Sequence, residues 1–455
     1  MRKTRILRAT SLAAVASMVV LSGCGSSDKS ADGKVSITVE GWRPGDQKAT
    51  IDTVKKLAAD FTKAHPNIKV TPKEWQWNAA TFPAELAGGT LPTSFRVPFT
   101  DTKGLVQRKQ VADINDEIAA LPYASELNPT VMEAAKGTDG KVYGLPSDVY
   151  ANGLHYNRDL FKQAGLDPDK PPTTWDEVRA DAKAIEDKTG QTGYATMTKE
   201  NQGGWILTTL VYSMGGRMET QSGDKYTATV DNDATKKALG LLKSMRWDDG
   251  SISGTTSYNW NSINQAFAAG KIGMYVSGSD VYNALVTTNK VKPESYGLAA
   301  IPTDGSADAG ALGGGSINVV SAKASKAQQK AAVQWVDFFR VRKLVDKDAA
   351  IKDAQTLKAA NQPIGTPTFP QFEQTIYKQQ QEWIKPYVNV PQAQMSSFIT
   401  GMFQQQLIAE PASQTQPLYA ALDPAVQKVL SDKNADIDAL LKTANDKVQA
   451  ILDKS

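Results

Sequence analysis

Val35-Ser36-Ile37-Thr38-Val39, then Ile51, Val54, Leu57, Ala58 and Phe61, then Ile68-Lys69-Val70-Thr71: these three segments decide the fold. The first alternates apolar and polar residues and is rich in β-branched side chains, as a half-buried strand requires. The second recurs at helical spacing until Pro66 stops it. The third reads as another strand. Strand, helix and strand at this spacing form a βαβ unit, and a βαβ unit implies a parallel sheet. Ligands of such sheets bind beyond the carboxyl ends of the strands. That places the loop residues Trp42 and Arg43, and Trp75 and Trp77 after the second strand, on one rim.

Upstream of this unit lie Arg2, Lys3, Arg5 and Arg8, an apolar run from Leu12 to Leu21, and Ser22-Gly23-Cys24. A charged head, a short apolar core and small residues before a cut make a secretory signal peptide over 1–23. Leu21-Ser22-Gly23-Cys24 resembles the lipobox of bacterial lipoproteins, which implies lipidation of Cys24 as the new N-terminus. Cys24 is the only cysteine, so intramolecular disulfides are excluded. A diacylated cysteine supplies the two chains that stable anchoring needs. Residues 24–33 read as a flexible polar linker, its ends about 15–20 Å apart. The expected location is extracytoplasmic, on a lipid anchor in the cell membrane.

The chain carries net charge +3; removing the four basic residues of the leader leaves −1. A nearly neutral body offers no field for nucleic acid. No later apolar run reaches the ~18–20 residues of a membrane helix. His65 and His155 are the only histidines, and no metal motif, nucleophile elbow or phosphate loop occurs. No cofactor and no metal are expected.

Further segments carry a family signature: Tyr143-Gly144-Leu145-Pro146, Tyr156-Asn157-Arg158-Asp159-Leu160-Phe161, Ala164-Gly165-Leu166, and Pro171-Pro172-Thr173-Thr174-Trp175-Asp176-Glu177. Phe267-Ala268-Ala269-Gly270-Lys271-Ile272-Gly273-Met274, Tyr296 to Pro302, Ala311 to Gly315, and Val390-Pro391-Gln392 with Met395 to Phe398 follow in order. The set resembles the extracellular solute-binding proteins of bacterial ABC importers, in the maltose-binding-protein-like branch that takes sugars and oligosaccharides. The resemblance implies an α/β, periplasmic-binding-protein-like fold of two lobes, each a mainly parallel sheet flanked by helices, joined by hinge crossovers. It would place the crossings near 144–150, 302–312 and 362–367. Lobe 1 would then take 34–146 and 308–362, and lobe 2 would take 147–307 and 363–455. It also implies a monomer that captures a carbohydrate between the lobes and hands it to permease subunits. From Phe372 onward the chain reads as helical, with Gln379 to Gln381 and Gln404 to Gln406 on helix surfaces.

A sugar site needs aromatic plates for C–H faces and carboxylates, amides or guanidinium groups for hydroxyls. Trp42, Arg43, Trp75, Trp77, Asp101, Asp148, Tyr150, Trp205, Trp260 and Trp383 are the candidates, with Gly314 where backbone approaches a ligand or turns. Trp175, Trp247 and Trp335 read as core. One departure matters: the family commonly places a stacking Trp shortly after the Gly-Met strand, and here Asp280 stands at about that place. A carboxylate is no plate, so Tyr282 or another aromatic takes over, or the ligand differs. Two alternatives stay open. A glycoside hydrolase needs only two carboxylates, and a peptide or osmolyte receptor would use the same architecture.

Overall fold

The computed structural model describes residues 34–454 apart from positions 47, 80 and 224. The expected signal peptide, Cys24 and the 24–33 linker lie outside the described residues. In chain order the strands are β1 (Val35–Trp42), β2 (Ile68–Glu74), β3 (Ser94–Pro98), β4 (Gly144–Asn157), β5 (Thr192–Ala195), β6 (Glu219–Ser222), β7 (Lys225–Ala228), β8 (Ile272–Gly278), β9 (Tyr296–Ala300), β10 (Gly310–Val320) and β11 (Gln406–Ala409).

The opening βαβ unit forms as its pattern predicts. β1 and β2 pair in parallel from Val35 opposite Ile68, and helix Lys48–Ala64 crosses between them. β3 joins the other edge of β1 in parallel. Phe61, fully buried, packs edge-on against Trp335, so Trp335 is core as expected. Lobe 2 repeats the logic around β8, which pairs in parallel with β5. Helix Trp175–Thr189 covers it, opened by the Thr174/Glu177 capping box read from the sequence and sealed on the core by buried Trp175.

The two sheets meet in β4 and β10. β4 pairs antiparallel with β10 from Gly144 to Ala151, and with β8 and β9 from Asn152 to Asn157. β10 in turn lies antiparallel to β3 over Ser316 to Val320. These two strands carry the chain between the lobes in opposite senses, which is why they run antiparallel to each other while the outer pairs run parallel. Three glycines permit this crossing. A Cβ on Gly315 would lie 2.1 Å from Asp148 O, and one on Gly313 2.1 Å from a Leu407 methyl. Close approach of strands, not a sharp turn, is what the Gly313 to Gly315 run serves.

One expectation fails after residue 362. The chain is not helical to its end: Gln406-Leu407-Ile408-Ala409 forms β11, parallel to the start of β10, because two consecutive buried apolar residues there complete the sheet. Gln404 and Gln405 lie in the turn before it, and Gln405 donates to Ile301 O instead of lying on a helix surface. Residues 363–388 also pack against segments that precede β4 and β11. Asn128 N donates to Gln371 O and Glu373 N to Glu126 O, and Ile364 and Ile384 share a small core with Ala350 and Ala354. The ring of Tyr377 lies 5.4 Å from that of Phe403, edge to face.

Candidate functional site

Between the lobes lies a cleft of about 1810 Å³. Its lobe 1 wall comes from the carboxyl ends of β1 and β3 and the helix that follows each, as the parallel-sheet rule requires. Of the sequence candidates, Trp42, Arg43, Trp77, Asp101, Asp148, Tyr150 and Asp280 line it together. Trp42 carries Lys55 over its ring at 5.3 Å. Trp77 packs on Phe82 and hydrogen-bonds the carboxylate of Asp101. Burial holds Asp101 above the usual carboxylate range despite that bond and one from Thr100.

The other candidates lie elsewhere. Trp75 turns onto Phe95 and donates Nε1–H to Glu85 at 2.9 Å. Trp260 starts helix Trp260–Ala268, capped by Asn259, so the cluster read as a loop is a helix N-terminus and its ring packs on the core. Trp383 belongs to the small core beside Ile384. Tyr282 is 1% exposed, tilted against Tyr296 at 4.9 Å, and cannot stand in for the missing plate. Trp205 stands behind Tyr150, edge to face at 6.3 Å, and supports that ring from the core side. Gly314 lies under Tyr150: its Cβ would come 2.5 Å from the phenol oxygen.

Sequence reading missed the charged floor. Arg96, on β3, donates from Nε and Nη2 to Glu40 Oε1 at 2.9 and 2.6 Å, and from Nη1 to Asp148 Oδ2 at 2.8 Å. Its backbone N–H binds the other Glu40 oxygen at 2.7 Å. Burial pushes Asp148 up, but the nearby Arg340 and Arg96 guanidinium groups outweigh it and hold the carboxyl below its ordinary range. Asp148 is therefore a fixed anion that accepts hydrogen bonds. Asp280 has no such cation among the described residues, and burial, with the Asp148 charge added, raises it.

Arg340 reaches the cleft from an irregular turn. Helix Lys326–Val336 passes into a π-helical turn at Asp337–Val341, a feature frequent at functional sites. Asp337 anchors it, accepting from Tyr123 OH at 2.5 Å and from Arg342. The Arg340 guanidinium lies 4.3 Å from the Phe339 ring, and its Nε is buried without a partner among the described residues. Beside it, on helix Gln374–Ile384, runs an amide chain: Gln392 Nε2 donates to Gln381 Oε1, and Gln381 Nε2 to Gln380 Oε1, each at 2.8 Å. Only the F-F-R run in a helical pattern marks Arg340 in the sequence, and that pattern also reads as plain core.

Two α/β lobes facing each other across a polar, aromatic cleft have the architecture of a two-lobed binding protein. This chain belongs to the bacterial extracellular solute-binding protein family, whose model matches residues 56–383. A binding protein of Brucella abortus (strain 2308) is 32% identical over 194 residues, 42% of this chain and 43% of that relative. The matched stretch thus spans less than half the length of that curated relative. The sn-glycerol-3-phosphate-binding periplasmic protein UgpB of Salmonella typhimurium is 25% identical over 305 residues, 63% of this chain and 66% of its own. The cyclic alpha-maltosyl-1,6-maltose binding protein of Arthrobacter globiformis shares the fold with a TM-score of 0.70 at 20% identity, covering 93% of this chain and 100% of that one.

Proposed function

We propose that this protein captures a carbohydrate, an oligosaccharide by the size of the cleft, and delivers it to an ABC permease while tethered through lipidated Cys24. The observation that carries the reading is one cleft lined by Trp42, Trp77 and Tyr150 together with Asp101, Asp148 and Gln381. Plates for C–H faces and fixed acceptors for hydroxyls are what a sugar demands. Both walls contribute, so the ligand touches all of its partners only when the lobes close. That differential affinity drives closure. The cleft works by retention and release, as a monomer and without catalysis. The lobes divide near 146 and 308, as β4 and β10 suggest, with 363–388 as a shared layer.

A second reading, a small anionic solute, is favoured by one observation: Arg340 lines the cleft, and its buried Nε has no partner among the described residues. One thermal-shift panel separates the two, containing malto-, gluco- and galacto-oligosaccharides and sn-glycerol 3-phosphate. A ligand at one hundred times its dissociation constant adds about 2.7 kcal/mol. A shift with oligosaccharides is expected. A shift with the phosphate alone would replace the carbohydrate reading, and reducing ends released from an oligosaccharide would replace the non-catalytic one. Cys24→Ala should leave the membrane fraction; a variant that stays there refutes the lipid tether.

A further inference from the structure

We propose that Glu410 is a further ligand contact of this cleft, meeting the bound solute as a neutral acid and taking up a proton from solvent as the lobes close. The inference rests on the binding-cleft reading above. Glu410 follows β11 and precedes Pro411, on a turn fixed by Glu219, whose Oε1 accepts from Ala412 N and Ser413 N at 2.7 and 3.1 Å. Glu410 Oε1 accepts from Tyr419 OH at 3.0 Å. Its Oε2 lies beside Gly314, where a Cβ would sit 2.8 Å from it and 2.5 Å from Tyr150 OH. The carboxyl and the phenol thus flank one glycine on the cleft that both line.

The groups around it share one character. Tyr419 faces it from helix Thr415–Ser431, Tyr150 from β4, Asp101 from helix Phe99–Gln107 and Glu219 from β6. Tyr212, from helix Gln202–Ser213, and Asp280 stand beyond Tyr419 and Tyr150. All are phenols or carboxyls. Two cations stand further out: Arg217 packs over the Tyr212 ring and gives its guanidinium to Gly216 O and Asp308 O, and Arg108 acts on Asp101 and donates Nε–H to Gln110 Oε1. Glu410 forms no ion pair among the described residues. Burial, with the Asp101 charge added, pushes it up to about 7.

The cleft therefore holds two carboxyls in different states near neutral pH: Asp148, fixed as an anion between guanidinium groups, and Glu410, poised to be an acid. Neighbouring environments that split two carboxyls in this way assign them different roles. Closure expels water and further disfavours the charged form. A protonated Glu410 keeps its bond from Tyr419 on one oxygen and donates from the other. It can then bind a solute oxygen that only accepts, such as a ring or glycosidic oxygen, which Asp148 cannot.

The first test needs no ligand. In protein labelled with ¹³C at the glutamate carboxyls, the resonance lost in Glu410→Gln should titrate with a midpoint of about 7. A midpoint in the ordinary glutamate range, about 4.3, overturns the proposal. The second test uses the tightest oligosaccharide of the panel, by calorimetry in phosphate and Tris buffers. Wild type should take up a proton on binding, and its affinity should fall about tenfold per pH unit once Glu410 is ionised. Glu410→Gln should bind without uptake and with no pH dependence; unchanged uptake in this variant also overturns the proposal. A panel without a binder would defeat the carbohydrate reading, while the titration would still decide the state of Glu410.

Discussion

Replacing Arg96 with Met removes the strut under the cleft and leaves the Glu40 carboxylate behind. The Arg96 and Glu40 side chains are 15% and 7% exposed, so this is a buried pair, and deleting one partner of such a pair costs about 3–5 kcal/mol. Two features place the loss at the low end of that range. The backbone N–H of residue 96 still binds Glu40, and the Asp148 arm, with a side chain 51% exposed, adds only ~0–1 kcal/mol. We expect Arg96→Met to lose about 3 kcal/mol, read as a lower urea midpoint at unchanged slope. Adding Glu40→Gln removes the stranded charge and should recover at least about 1 kcal/mol as coupling. A loss below about 1 kcal/mol, the ordinary value of an exposed pair, would refute the claim that the strut is a buried ion pair.

His155 is buried between Tyr296 OH at 2.7 Å and Ser277 O at 3.1 Å; a carbonyl only accepts, so Nε2 carries the proton and Nδ1 accepts from the phenol. Burial lowers its pKa to about 4, so its contribution is complete above the unfolded value of about 6.5 and is lost as pH falls toward 4, about 3 kcal/mol in all. His155→Gln should flatten that part of the stability–pH curve; an identical acid limb refutes the assignment. Gly204→Ala should cost at least about 2 kcal/mol by overpacking, since its Cβ would meet Tyr419 O at 2.2 Å, and an unshifted melting temperature refutes that contact. In calorimetry with the panel's best ligand, Trp77→Ala should weaken binding by at least about 1 kcal/mol while Trp260→Ala leaves it unchanged; the reverse pattern would move the site.

Periodic segments were legible. The first βαβ unit, the Thr174 cap and buried Trp175 and Trp335 follow from spacing alone, because side-chain period and cap chemistry are local. Trp42 and Trp77 were legible for the same reason, one as the last residue of a strand of a parallel sheet and the other just past its neighbour. Trp75 was not separable from Trp77: two residues apart on one segment, one turns to Phe95 and the other to the cleft. Trp260 misled because an Asn beside an aromatic reads equally as a loop or as a helix cap. Glu40, Arg96 and Asp148 are distant in sequence, so only the β1–β3–β10–β4 strand order brings them together. β11 escaped because a four-residue strand gives too short a pattern to distinguish from helix.

The Asp337–Val341 turn holds one residue more than an α-helical path would. Each residue of an α-helix advances the side-chain direction by about 100°, so trimming one position from this turn would swing the Arg340 head group away from the cleft. A deletion of a single codon could thereby exchange a cation for bare wall without touching a strand or a hinge. Such a cleft thus has a cheap route to a different lining, through the length of one helical turn rather than through substitution of its side chains.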